Sequence, residues 1–360
     1  MANLPATNQL LFSAFVQRSV AGYPSIAFVS FEKTSGKSTA FRAFLHAVDG
    51  ITGGITSLGA DPANGKEAAI DGHLHFVKPG TIIATARQCL PYCEPTRTIL
   101  TDTSVLTPLG EVIIFRAESA GRVFLAGPSI IADAINIKKT LFEFGAECVL
   151  MDGAGARISP ANPRLSDGIV LCANLAPDIA QTQEDLQYQI NLLQTRPLVD
   201  ERLREICQQK QPAQISFALV DQNYGTHLPC NGETINQLIE TVEQQNQTTR
   251  AIYIRGALTD RQAEGLVKYA ETNPALVKNC TLIVEDPTKL MIQPKTIASI
   301  QASPLSLSVL HPIQLLGIAV NSSTAGSGYD RITDFLKRLS TDCHLPVFDI
   351  QRGVFFENSD

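Results

Sequence analysis

Short apolar runs recur along the chain, and each is followed by a polar or glycine-bearing segment. Segments with apolar residues three and four positions apart follow many of them, as in amphipathic helices. This alternation predicts an α/β fold with a mainly parallel sheet flanked by helices. The runs that we assign to strands are SIAFVSF, ECVLMDG, GIVLCAN, RAIYIRG, CTLIVED and LLGIAVN. The helices that the pattern predicts cover residues 37–48, 129–144, 182–195, 233–244, 259–271 and 329–340.

The pattern changes between residues 76 and 125. The runs TIIATARQCL, TRTILTDTSV, GEVIIFRAE and RVFLAG are separated by turn residues, with little room for helices between them. Consecutive short strands joined by turns predict an antiparallel β-rich insertion. We therefore expect residues 1–75 and 126–360 to form one P-loop NTPase-like core, interrupted by an insertion at 76–125.

The first predicted strand leads into a loop and a helix through the sequence SFEKTSGKSTAF. A glycine, a lysine and a hydroxyl residue at the start of a helix are typical of a phosphate loop, in which backbone N–H groups surround the phosphates. Lys37 would neutralise the β- and γ-phosphates, and the Ser38 hydroxyl would bind Mg²⁺. The residues that we expect to contact the nucleotide here are Glu32, Lys33, Thr34, Ser35, Gly36, Lys37, Ser38 and Thr39.

The position where that motif has its first glycine holds Phe31. Glycine there lets the chain leave the strand with a backbone conformation that other residues disfavour, so Phe31 predicts a differently shaped loop entry. We expect the loop to surround the phosphates nonetheless, with Glu32 or Lys33 facing the γ-phosphate or substrate side. The alternative is a Gly-Lys-Ser sequence that only begins a helix.

A phosphate loop needs a carboxylate at the end of a neighbouring strand to hold Mg²⁺. Asp152 follows the run CVLM, and Gly153 and Gly155 after it allow close approach of the backbone. We expect Lys37 and Asp152 to be the catalytic residues, and Ser38 and Asp152 to bind the metal. Asp61 or Asp71 would complete the metal shell. A tight turn is the alternative for Asp152, and a turn or a solvated loop is the alternative for Asp61 and Asp71.

The late strand LLGIAVN ends in Asn321. A side-chain amide carries both a donor and an acceptor, so it can read the edge of a purine base. We therefore include Asn321 among the nucleotide-binding residues. The alternative is an asparagine that only forms a turn.

Composition limits the remaining function classes. The formal charge is −6 without a basic cluster, which argues against a nucleic-acid partner. No apolar run reaches the roughly 20 residues that span a bilayer, and the first 20 residues do not have the pattern of a signal peptide. The eight scattered cysteines are typical of free thiols in a reducing compartment. We expect a cytoplasmic protein without a membrane segment.

The Gly36-Lys37-Ser38 sequence, the Asp152-Gly153-Ala154-Gly155 turn, Asn321 and the LPVFDI run together resemble dethiobiotin synthetase and cobyrinic-acid-synthase-type P-loop proteins. Those proteins carry Glu-Gly-Ala-Gly at the second landmark. The resemblance implies an ATP site in which Lys37 contacts phosphates, Ser38 and Asp152 contact Mg²⁺, and Asn321 contacts adenine.

Further segments, among them KTSGKST, ITSLGAD, DGAGARIS, IRGALTD and VNSSTAG, resemble the P-loop subunit of the lysine 5,6-aminomutase reactivase group. This chain departs from that group at residues 155–156 and 322–325. The resemblance implies a Mg-ATPase that reactivates a cobalamin-dependent aminomutase, with that enzyme or a second reactivase subunit as partner. A homodimer is a further possible assembly. One alternative is an ATP-dependent carboxylate ligase like dethiobiotin synthetase, with Arg157 fixing the carboxylate. Another is a nucleotide-binding scaffold without turnover.

Overall fold

Strands and helices alternate along most of the chain in the computed structural model, which describes residues 6–59, 74–153, 158–209, 217–227, 239–240, 248–275, 277, 279–323 and 328–357. The helices are α1 (Ala6–Gly22), α2 (Lys37–Ala47), α3 (Ile131–Glu143), α4 (Ile179–Leu193), α5 (Glu201–Gln208), α6 (Asp260–Thr272), α7 (Pro294–Ala302) and α8 (Tyr329–Cys343). The strands are β1 (Ser25–Val29), β2 (Gly53–Leu58), β3 (Leu74–Val77), β4 (Ile82–Ala86), β5 (Arg97–Thr107), β6 (Gly110–Ala117), β7 (Gly121–Phe124), β8 (Cys148–Gly153), β9 (Gly168–Asn174), β10 (Phe217–Asp221), β11 (Thr226–His227), β12 (Thr249–Ile254), β13 (Leu258–Thr259), β14 (Cys280–Val284), β15 (Leu290–Met291), β16 (Leu305–Val309), β17 (Leu315–Asn321), β18 (Val347–Asp349) and β19 (Val354–Phe356).

The chain divides into two compact units. The first consists of Met1–Gln187 and Gln314–Asp360, and the second of Tyr188–Ile313. The sequence analysis assigned all of 126–360 to one core, and the second unit lies within that range. The strand segments of the second unit have a similar apolar composition to those of the first. The two sheets are distinguished by which strands pair with each other.

The first unit is built on a ten-stranded sheet with the order β19-β18-β17-β9-β1-β8-β2-β4-β6-β5. The strands from β18 to β4 pair in parallel, whereas β19 at one end and β6 and β5 at the other pair antiparallel. The α/β fold with a mostly parallel sheet is confirmed. Of the four strands expected between residues 76 and 125, β4, β5 and β6 extend this sheet, and β7 pairs with β3 in a small separate one.

An aromatic cluster fixes the helix that follows β1. Phe28 near the end of β1 is fully buried, and its ring centroid lies 5.0 Å from that of Phe44 and 5.5 Å from that of Phe41, both on α2. Phe12 of α1 packs edge-on against Phe44 at 5.6 Å. Burial of each such ring contributes about 1.5–3 kcal/mol, so α2 is held firmly against β1. The loop between β1 and α2 therefore joins two well-anchored elements.

The second unit has a five-stranded sheet of order β11-β10-β12-β14-β16, in which β12, β14 and β16 are parallel. Its core includes Leu203 and Ile206 of α5, which pack against β10 and β12. Asp200 begins α5 by accepting a hydrogen bond from Leu203 N at 3.1 Å. Among the described residues, no helix in either unit has both the length and the apolar character needed to cross a bilayer.

Candidate functional site

The loop between β1 and α2 leaves the strand without a glycine. Phe31 is half-buried, and its φ is not positive. The left-handed conformations lie later, at Thr34 (φ 56°) and at Gly36 (φ 80°), the residue just before α2. A Cβ atom on Gly36 would lie only 3.0 Å from Cβ of Asn321, so both backbone conformation and space favour glycine there. The loop thus makes its sharp turn next to the helix rather than next to the strand.

The amine of Lys37 points back into the loop. Its Nζ donates to Ser30 Oγ at 2.6 Å, and lies 3.4 Å from the carbonyl oxygen of Glu32 and 3.5 Å from Ser35 Oγ. The residue is only 8% exposed. A buried ammonium group is stable only where oxygen atoms surround it, which these three oxygens do. The loop is therefore arranged around this positive charge.

The first turn of α2 presents backbone N–H groups at the same place. The first intrahelical bond runs from Ala40 N to Gly36 O, at 2.9 Å. The N–H groups of Ser38 and Thr39 precede it, and the N–H groups of a first helical turn can bind an anion. The helix dipole adds partial positive charge at this end.

Asp152 lies directly beside this helix start. It sits near the carboxyl end of β8, which pairs in parallel with β1, so the two strand ends are neighbours. Ser38 Oγ donates to Asp152 Oδ2 at 3.0 Å. Gly153, the next residue, approaches β1 so closely that a Cβ atom would lie 2.6 Å from the carbonyl oxygen of Phe28. The structure thus brings together two of the residues that we expected to bind magnesium, Ser38 and Asp152.

A histidine completes this side of the site. His75 on β3 is 2% exposed, and its Nε2 lies 3.6 Å from Asp152 Oδ2. Its ring packs edge-on against Phe41, with centroids 4.8 Å apart. The imidazole therefore lies beside the Asp152 carboxylate. The sequence analysis missed His75, because a histidine in the short run LHFV gives little signal.

The opposite side of the loop rests on two asparagines. Asn174 ends β9 and Asn321 ends β17, and the two residues are partners in the parallel pairing of these strands. Asn321 Nδ2 lies 3.3 Å from the carbonyl oxygen of Thr34 and 3.1 Å from Asn174 Oδ1, and Asn174 Nδ2 lies 3.4 Å from the carbonyl oxygen of Lys33. Asn174 was also missed, although the run GIVLCAN places a polar residue at the end of a predicted strand.

A cavity of about 360 Å³ opens above these groups, within the range of small-molecule sites. Its lining residues come from the loop, the start of α2 and the ends of the neighbouring strands: Lys33, Thr34, Ser35, Gly36, Lys37, Ser38, Thr39, Ser57, Gly59, His75, Phe124, Leu125, Asp152, Gly153 and Asn321. The loop is therefore open above the helix start.

Two further groups bear on the chemistry of this site. Glu32 has an exposed side chain, and its carbonyl oxygen contacts the Lys37 amine. Burial raises the pKa of the Cys172 thiol on β9 far above its ordinary value; nearby Lys37 opposes this shift and Asp152 adds to it. Burial therefore favours the neutral form of the Cys172 thiol.

Four other residues of the sequence analysis belong to segments that the structure does not describe. Asp61, Asp71, Gly155 and Arg157 lie outside the described residues. Within the described part of the chain, no group of three or more His, Cys, Asp or Glu side chains is arranged to hold a metal ion.

Ser38 and Asp152 offer a hydroxyl and a carboxylate oxygen to a cation. Hard oxygen donors of this kind suit Mg²⁺, which is usually held by one or two protein ligands together with substrate phosphates and water. The donor set at this site therefore fits a magnesium ion that accompanies a phosphate ligand.

Comparisons of the chain with protein-family models, with curated proteins and with solved structures find no match.

Proposed function

We propose that the first unit binds a magnesium nucleoside triphosphate, with ATP as the expected nucleotide, in the cavity above the loop at residues 30–36. The observation that carries this proposal is the convergence of the Lys37 amine, the Ser38 hydroxyl and the Asp152 carboxylate beside the N-terminus of α2. A cation, helix N–H groups and a pair of oxygen donors around one cavity match the needs of a triphosphate with its metal.

Each group has a role that follows from its position. Lys37 and the N–H groups of Ser38 and Thr39 hold the phosphate oxygens, because they lie at the positive end of α2. Ser38 and Asp152 hold the magnesium ion, which would neutralise charge on the phosphates. His75 lies beside the Asp152 carboxylate. These roles belong to nucleotide binding and to phosphoryl transfer to water or to a substrate.

The proposal is tested by equilibrium binding of ATP with and without Mg²⁺. We expect binding that strengthens with Mg²⁺ and is weakened by inorganic tripolyphosphate, because the site is built for the phosphates. Asp152→Asn is the informative variant, since it keeps the size of the side chain but removes its charge. It should retain the nucleotide but slow Mg-dependent hydrolysis. Absence of nucleotide binding by the intact protein would reject the proposal.

Analysis of the products of a long incubation with Mg-ATP distinguishes the further alternatives. We propose hydrolysis to ADP and phosphate, as expected of an ATPase that acts on a partner protein. An acyl phosphate or a ligated product formed with an added carboxylate would instead indicate a ligase, and unchanged ATP would indicate a scaffold. Reactivation of a cobalamin-dependent aminomutase stays a prediction, which is tested by adding the inactivated enzyme and measuring recovery of its activity.

A further inference from the structure

The two asparagines under the loop form a connected set of hydrogen bonds. The carbonyl oxygens of Lys33 and Thr34 can only accept hydrogen bonds, so the atoms that face them must be the Nδ2 atoms of Asn174 and Asn321. This leaves Asn174 Oδ1 to accept the second hydrogen bond from Asn321 Nδ2. The orientation of both amides is thereby fixed by the loop backbone.

This arrangement uses all the donors of one amide. A side-chain amide has two N–H groups, and Asn321 gives one to Thr34 O and the other to Asn174 Oδ1. Reading the N6 and N7 edge of adenine requires one donor and one acceptor from the same amide. With both donors engaged, Asn321 cannot form that pair of hydrogen bonds.

The contacts fall on the part of the loop whose backbone is least favourable. Thr34 has φ of 56°, a left-handed conformation that residues with a Cβ disfavour. Gly36 turns in the same sense directly against the Cβ of Asn321. Hydrogen bonds to the carbonyls of Lys33 and Thr34 hold this segment in place.

We infer that Asn174 and Asn321 are positioning residues that hold the loop at residues 33–36 in its phosphate-binding shape, and that Asn321 does not select the base. The inference rests on the proposed function, and it revises the expectation that Asn321 contacts adenine. The amides act on the phosphate ligand through the loop, so their loss should affect every ligand that carries the phosphates.

The test is a comparison of three ligands, Mg-ATP, Mg-GTP and Mg-tripolyphosphate, with the intact protein and the variants Asn174→Ala and Asn321→Ala. Loss of each hydrogen bond should lower the affinity for all three ligands by a similar factor, about two- to tenfold. The ratio of ATP affinity to GTP affinity should stay unchanged. Asn136→Ala, which removes an exposed asparagine of α3, is the matched control and should bind all three like the intact protein. Tripolyphosphate is the decisive probe because it has no base.

Hydrogen exchange of the ligand-free variants gives a second measurement, which needs no ligand. Amides of residues 32–36 should exchange about two- to tenfold faster in Asn174→Ala than in the intact protein. If Asn321→Ala does not fold, Asn174→Ala serves for both measurements.

Two results would overturn this inference and leave the proposed function intact. One is that the variants keep their affinity for tripolyphosphate but lose their preference for ATP. The other is that hydrogen exchange of the loop amides is unchanged in the variants. Failure of the intact protein to bind ATP and tripolyphosphate would overturn the proposed function, and this inference with it.

Discussion

Replacement of Lys37 by alanine tests the proposed site most directly. The amine is buried among three loop oxygens, at 2.6 Å from Ser30 Oγ and 3.4–3.5 Å from Glu32 O and Ser35 Oγ, beside the cavity. A hydrogen bond to a charged group is worth about 1.5–3 kcal/mol. At about 1.4 kcal/mol for each factor of ten, Lys37→Ala should weaken ATP binding about 10- to 150-fold.

The assay is isothermal titration with Mg-ATP, and two other lysines provide the comparison. Lys33 lines the same cavity but is exposed to solvent, so Lys33→Ala should cost about 1 kcal/mol or less, or about fivefold. Lys139 is exposed on α3, and Lys139→Ala should bind like the intact protein.

Thermal unfolding of Lys37→Ala separates a loss of the site from a loss of the fold. The variant should unfold cooperatively, because α2 is anchored by Phe41 and Phe44 rather than by the loop. A folded Lys37→Ala protein with unchanged ATP affinity would refute the reasoning that assigns the loop to phosphate.

Three other predictions follow from the same contacts. Asp152→Asn should retain nucleotide but slow Mg-dependent hydrolysis about tenfold or more, equivalent to about 1.4 kcal/mol of barrier, and equal turnover numbers for variant and intact enzyme would contradict this role. Gly36→Ala should lower the free energy of unfolding in urea by about 1–2 kcal/mol because of its positive φ, and should also weaken ATP binding. Gly50→Ala is the control: its φ is 73° and nothing lies within 4 Å of an added Cβ, so it should lose stability but keep ATP affinity. Burial raises the pKa of the Cys207 thiol from 9.0 to about 12, so at pH 8 about one thiol in ten thousand is ionised and the folded protein should resist alkylation at this residue. Because the folded state favours the neutral thiol, burial of Cys207 stabilises the fold below pH 9, and this contribution is lost as the pH rises toward 12. Rapid labelling of Cys207 at pH 8 without denaturant would show that the thiol is not buried.

The sequence by itself determined the local elements of the site. The strand–loop–helix order around Lys37 and the helix start at that residue were predicted and are present. So were the strands that end near Asp152 and at Asn321. These features depend on short-range preferences, since hydrophobic periodicity and the residues at a helix start act within a few positions of the chain.

The order of the strands was decided only by the tertiary structure. Parallel strands are joined by long crossovers, so the sequence does not state which strand lies beside which. Because β1 lies between β8 and β9, Ser38 meets Asp152 and the loop meets Asn174. His75, brought in by a strand of a separate small sheet, has little local signal in the sequence.

The division of the chain was decided in the same way. The run RAIYIRG and the run CTLIVED were correctly predicted as strands, yet they pair with each other in the second sheet and not with β1. Buried parallel strands have nearly the same apolar composition whichever sheet they join, so composition cannot assign them. Asn321 is a further example, because its position at the end of a strand allowed a contact with the base. Folding brings the carbonyl of Thr34 and the side-chain amide of Asn174 to it, and these two groups determine where its two N–H groups donate.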